Sequence, residues 1–274
     1  MTASEQRRAA DRDALLLALT QQVKADHRIE ACWLFGSLGR GTQDAWSDLD
    51  VVLVIANDHF ENFLSERYHQ VSRLGSVVLH VESAHNGPPG GCYLMTGYDF
   101  PAGIQLVDWY WQPSQSAKFA KSEAVLVMNR QPPEYEACQG ELVAMWQRPE
   151  NDSKLALWAP TEDQDRANCA ALAWAMLAIQ AKNIARHPAE TGLIYQDFIE
   201  TLLARACGQD NNSHRFGNEM ELTTPQARIS RLQAIAQELN DSCPERNSAA
   251  SGVGELLKSI KKHTEFQLEP RIDE

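Results

Sequence analysis

Two aspartates one residue apart, Asp48 and Asp50, stand at the mouth of the apolar run Val51-Val52-Leu53-Val54-Ile55. A second apolar run, Ala31-Cys32-Trp33-Leu34-Phe35, ends at Gly36-Ser37, and ten residues separate Ser37 from Asp48. Both runs have the length and the β-branched or aromatic content of buried strands. The chain must therefore bring a glycine turn and two carboxylates to the ends of two strands. Alternate strand residues share a face, so Asp48 and Asp50 project together while Leu49 points into the core.

Paired carboxylates repel unless a cation lies between them. Hard divalent Mg²⁺ prefers oxygen ligands and phosphate, and two such ions can clamp both oxygens of an in-line phosphoryl transfer. Gly36 lets backbone approach a triphosphate closely. Ser37 offers a hydroxyl and an N–H, a short helix is expected near Leu38, and Arg40 in the same turn can meet a phosphate oxygen. Taken singly, the pieces also fit an ordinary strand-to-helix turn and a loop end; the fixed spacing between two strands favours the phosphate and metal reading.

The pattern Gly-Ser, ten residues, Asp-x-Asp resembles the polymerase-β-like nucleotidyltransferase superfamily. That resemblance implies an α+β fold: a nucleotidyltransferase mixed sheet with flanking helices, followed here by an all-α helical-bundle domain. It also implies a third metal-site acid on a neighbouring strand. Asp108 interrupts the apolar run from Gly103 to Trp111, where burying an unpaired carboxylate costs several kcal/mol. Glu82, at the end of Val77–Val81, is the competing candidate. Asp108 at an exposed strand end or paired with an arginine is the structural alternative.

Helical periodicity is expected over about 4–26, with Leu15, Leu16, Leu17, Leu19 and Val23 as its apolar side and Ser4 as candidate N-cap. Phe60, Phe63, Leu64 and Tyr68 suggest another helix. Strands are expected at Val77–Val81, Cys92–Thr96, Gly103–Trp111 and Ala124–Met128, and Asn86-Gly87-Pro88-Pro89-Gly90-Gly91 reads as a loop. Composition changes at Gln131-Pro132-Pro133. Beyond it, helices are expected at 161–186, with Thr161 as candidate cap, and at about 191–207, 224–240 and 250–264. Two domains follow, a catalytic domain at 1–131 and a helical substrate-binding domain at 132–274.

With 274 residues, 43% of them hydrophobic, the chain can bury a large core. No apolar run reaches the roughly 18 residues of a membrane span. The N-terminus has no secretory apolar segment. Six cysteines, at 32, 92, 138, 169, 207 and 243, form no C-x-x-C pair, which points to reduced thiols in a cytoplasmic protein. A net charge of −12 and a pI of about 5.1 repel nucleic acid and anionic membranes and suit a small cationic substrate.

The helical half resembles two-domain antibiotic nucleotidyltransferases, the aminoglycoside and lincosamide adenylyltransferases. In those families it brings a basic side chain to the triphosphate. Lys182, one turn from Arg186, matches that stretch; a solvated basic face is the alternative. Glu162, Asp163 and Asp165 suit a helix start by charge alone, or a grip on substrate amines. Trp109, Trp111, Trp146, Trp158 and Trp174 are read as packing, with one or two available to stack on adenine or a sugar. His80 and His85 lack a third ligand at useful spacing.

The expected activity is Mg²⁺-dependent transfer of a nucleoside monophosphate, AMP from ATP, to a hydroxyl of a small molecule such as an aminoglycoside or lincosamide antibiotic, with pyrophosphate released. Asp48, Asp50 and Asp108 are the expected metal ligands, two Mg²⁺ ions the cofactor, and Gly36, Ser37, Arg40 and Lys182 the nucleotide contacts. Asp108 or Glu82 remains a candidate base for the acceptor hydroxyl. The alternatives are a protein adenylyltransferase and a non-catalytic nucleotide-binding module. Acceptor identity and oligomeric state stay open.

Overall fold

The computed structural model describes residues 1–83, 86–88, 90–120, 124–130, 136–138, 162–191, 193–208 and 222–268. The chain divides into two compact units. One comprises the described residues of Ala9–Tyr98 and Gln105–Ala159; the other comprises those of Met1–Arg8, Asp99–Ile104 and Pro160–Glu274.

Helix α1 (Ala3–Ala25) leads into strand β1 (Ile29–Phe35), the short α2 (Gly36–Arg40) and β2 (Leu49–Ile55). Next come α3 (Phe60–Ser65), α4 (Arg67–Ser72), β3 (Val77–Glu82), β4 (Cys92–Tyr98), β5 (Gln105–Pro113), β6 (Lys118–Ala120), β7 (Val125–Asn129) and β8 (Glu136–Cys138). Among the described residues, six strands form one sheet in the order β3-β4-β5-β2-β1-β7, and β6 pairs with β8 separately. Within the six-stranded sheet only the β2–β5 pairing is parallel. The sheet is therefore mixed, as expected for the α+β reading.

β2 is central. Its residues from Val51 to Ile55 are all buried, because an interior strand is covered on both faces and reads as a continuous apolar run. Register fixes which side chains share a face. Asp108 pairs with Asp50 on β2 and with Met95 on β4, so all three point the same way, together with Tyr93 and Tyr110 two residues along. The opposite face carries Leu49, Val51, Leu53, Trp109 and Trp111. Helix α3 covers it through Phe63, whose ring lies 6.5 Å from Trp111, and α4 through the Val71 carbonyl, which accepts from the Tyr98 hydroxyl at 2.9 Å.

The apolar side of α1 is narrower than the sequence suggests. Leu15, Leu19 and Val23 are buried, whereas Leu17 is 60% exposed; helical spacing puts the first three on one stripe and Leu17 on the reverse side. Arg8 and Arg12 continue that stripe and are also buried. The helix expected around Phe60–Tyr68 is two short helices that meet at Glu66.

The second unit contains α5 (Glu162–Arg186), α6 (Gln196–Ala206), α7 (Pro225–Ser242) and α8 (Ala250–Leu268). Alanines 170, 173, 178 and 181 of α5 are fully buried, and such small side chains allow close helix approach. Thr224 caps α7, accepting from the Ala227 N–H at 3.1 Å, with Pro225 at the first helical position. α6 begins at Gln196 rather than near 191, and the expected cap Thr161 lies outside the described residues. Arg8 donates to the carbonyls of Ala102 at 3.1 Å and Ile104 at 3.3 Å. The Ile104 N–H in turn donates to the Gly252 carbonyl at 3.0 Å. These bonds build residues 1–8 and 99–104 into the helical unit.

Candidate active site

β1 ends at Phe35, and the chain turns at Gly36 with φ +63°. A Cβ at that position would lie 2.9 Å from the carboxyl carbon of Asp50 and closer still to one of its oxygens. Both facts require glycine. The turn closes at Gly41, with the Thr42 N–H donating to the Ser37 carbonyl at 2.9 Å. Arg40 is exposed at the end of α2.

The loop to Asp48 is tied by its own side chains. The Asp44 carboxylate accepts from the Trp46 N–H at 2.9 Å and from the Ser47 hydroxyl at 2.9 Å, an Asx turn. Ser47 Oγ accepts from the Asp44 N–H at 3.0 Å. Trp46 is buried, and Arg12 donates to the Asp44 carbonyl at 2.6 Å. Asp48 therefore leaves a pinned loop and enters β2 two residues before Asp50. Both acids are half-buried, as is Asp108.

Asp50 and Asp108 occupy directly opposite positions on the parallel β2–β5 ladder. Neighbouring strands lie about 4.8 Å apart, so the two carboxylates are lateral neighbours. Tyr93 donates its hydroxyl to Asp108 Oδ1. The Tyr110 ring stands 5.1 Å from that of Tyr93 and 5.0 Å from that of Phe35. Burial, then the negative fields of Asp108 and Asp50, push the Tyr110 hydroxyl far above the usual phenol range. Burial and Asp108 do the same to Tyr93. Both phenols thus remain protonated donors near neutral pH.

Glu82 lies elsewhere. It pairs with Leu94, which pairs with Trp109, so Glu82 is on the sheet face opposite the aspartates. Its carboxylate accepts from Arg67 at 2.6 Å and from the Tyr68 hydroxyl at 2.6 Å. His80 shares that face, edge-on to Tyr68 at 5.0 Å. Lys182 belongs to α5 of the helical unit and is only 1% exposed, so a solvated basic face describes Arg186 but not Lys182. Trp109 and Trp111 stack at 6.2 Å on the covered face; they and Trp174 are buried, which makes them packing residues. Trp146, Trp158 and His85 lie outside the described residues.

The sheet thus brings Asp50 beside Asp108 and against Gly36, with Ser37 next to Gly36 in α2 and Asp48 just ahead of β2. Sequence reasoning overlooked Arg12, Asp44, Tyr93 and Tyr110. The Asp-x-x-Ser spacing of Asp44 and Ser47 is a readable turn signal, but Tyr93 and Tyr110 join the site only through strand register.

Among the described residues, no three His, Cys, Asp or Glu side chains converge as a preformed metal cage. The carboxylates instead line two adjacent strands beside a close-fitting glycine turn. That arrangement fits a hard divalent ion such as Mg²⁺, which takes one or two protein carboxylates and completes its shell with water and substrate phosphate.

Among the described residues, no helix is long and apolar enough to cross a membrane. No curated protein matches the chain. A solved structure of a STING-associated CdnE c-di-GMP synthase from Capnocytophaga granulosa is similar at 10% identity over 96% of this chain and 81% of that one, with a TM-score of 0.26. A likeness that slight carries no structural argument. Residues 16–81 match the nucleotidyltransferase domain family, a span that contains the glycine turn, Asp48 and Asp50. Over those residues the chain is similar to a nucleotidyltransferase domain.

Proposed function

We propose that this enzyme transfers AMP from ATP to a hydroxyl of a small molecule, with an aminoglycoside or lincosamide antibiotic as acceptor, and releases pyrophosphate. The observation that supports the metal and nucleotide part of this reading is the direct register of Asp50 with Asp108, beside Gly36. Asp48, Asp50 and Asp108 would hold Mg²⁺, which supplies charge neutralisation at the triphosphate when bound. Asp108 is preferred to Glu82 because Glu82 faces away and is engaged by Arg67.

In this reading Gly36 admits the phosphate chain close to the backbone, and Ser37 and Arg40 contact its oxygens. Residues 1–131 act as the catalytic domain, and residues 132–274 supply acceptor binding, with Lys182 assigned to the triphosphate. The acidic surface favours a cationic acceptor. The enzyme is placed in the cytoplasm, a compartment suited to the free thiols of Cys32, Cys92, Cys169, Cys207 and Cys243.

The test is pyrophosphate release from Mg-ATP across a panel of aminoglycosides and lincosamides, with mass analysis of the acceptor. An acceptor heavier by one AMP, absent with Asp50→Asn, supports the proposal. Turnover that survives Asp50→Asn overturns the site. An AMP label found on protein instead of drug overturns the acceptor class.

A further inference from the structure

We propose that Tyr93 is the positioning residue for Asp108. This rests on the reading of Asp108 as a metal-site acid. Tyr93 is 2% exposed, and its ring is wedged against Tyr110. In the β4–β5 ladder it faces Tyr110, while Met95 faces Asp108. The thioether of Met95 offers the carboxylate no proton. A tyrosine one diagonal step away is long enough to reach across, and its hydroxyl donates to Asp108 Oδ1.

A phenol has one proton to give, and Tyr93 gives it to Asp108.

The bond matters because Asp108 lies beside Asp50. Two adjacent carboxylates tend to rotate apart in the absence of a cation. A donor on Oδ1 opposes that rotation and holds Asp108 in place, as partners behind metal-ligating carboxylates generally do; their loss costs about 10–100-fold in metal affinity or activity.

The experiment uses the full chain with a nonhydrolysable ATP analogue and titrates Mn²⁺, whose electron-spin resonance signal collapses on binding. Tyr93→Phe keeps the ring and removes the donor. Its apparent Mn²⁺ dissociation constant should rise about 10-fold or more, while the metal-free melting temperature and metal-free analogue binding stay near wild type. A purely structural hydroxyl would move the melting temperature and leave Mn²⁺ affinity alone. Tyr93→Leu, which also lacks the donor, gives the deciding measurement if Tyr93→Phe does not fold. Wild-type Mn²⁺ affinity in Tyr93→Phe, or in Tyr93→Leu where that variant decides, overturns the proposal. Asp50→Asn and Asp108→Asn separate the two failures. If they lose Mn²⁺ while the donor variants keep it, only the positioning role falls; if they bind Mn²⁺ normally, the metal-site reading falls too.

Discussion

Asp50 and Asp108 stand directly across from one another on two parallel strands. Without a cation this arrangement costs stability, and with one it becomes a binding site. Asp50→Asn should therefore stabilise the metal-free protein by about 1 kcal/mol, the order expected for partly screened like charges, while it removes Mg-ATP binding. Thermal unfolding should show a rise of about 2–4 °C without metal and no further rise with Mg-ATP. A lower melting temperature in metal-free buffer would show that Asp50 stabilises the fold instead.

Gly36 and Gly41 allow a paired test. Both have positive φ, so alanine should cost about 1–2 kcal/mol of backbone strain at either position. Only at Gly36 does the new Cβ meet the Asp50 carboxylate; at Gly41 nothing lies within 4 Å. Gly36→Ala should abolish stabilisation by Mg-ATP, and Gly41→Ala should retain most of it. Equal loss in both variants would count against a tight fit at Gly36.

Glu82→Gln separates the two candidate acids. It weakens the ion pair with Arg67 and should lower stability by about 1–3 kcal/mol, read from urea midpoints. Mn²⁺ affinity in the presence of the ATP analogue should match wild type. A large loss of metal affinity would return Glu82 to the metal site.

Arg12→Ala removes the donor that reaches the Asp44 carbonyl and should cost about 1–3 kcal/mol. Hydrogen exchange should speed up across residues 44–48 more than in β2 itself. Uniform acceleration over the whole sheet would indicate global weakening instead of a loosened loop.

His80 carries a pH dependence. Burial lowers its pKa below the ordinary 6.5, and Glu82 only partly opposes this. The unfolded chain therefore binds more protons than the folded one just below pH 6.5. The stability from neutral His80 is present above the unfolded pKa and is lost as pH falls toward the folded value. Urea midpoints should drop between pH 7.5 and 5.5, and His80→Gln should flatten that drop. An unchanged slope in the variant would assign the effect to other histidines.

Strand existence around the site was legible because β1, β2 and β5 are buried, and their apolar runs end at Gly36, Ile55 and Pro113. A shared face for Asp48 and Asp50 is expected from alternation alone. Which strand lies beside β2 did not, because parallel pairing with β5 spans about sixty residues of chain and no local signal encodes it. For the same reason the sequence kept Glu82 open as a competitor to Asp108; their opposite faces emerge only when three ladders are read together. Leu17 was misplaced because four leucines in five positions obscure the helical stripe. Tyr93 carries no signal in the sequence, since its role depends on a diagonal neighbour.

The bonds from Arg8 to Ala102 and Ile104 have a practical consequence for dissecting the protein. Helices α5 to α8 do not make up their whole unit. A fragment beginning at residue 160 would lack both the N-terminal arginine and the segment that bonds Gly252, so it should behave as a loosened bundle. Conversely, a fragment stopped before residue 160 would keep a buried arginine without its surroundings. Expression of either half alone therefore invites aggregation, and domain-swap chimeras need four junctions where the order of elements suggests one.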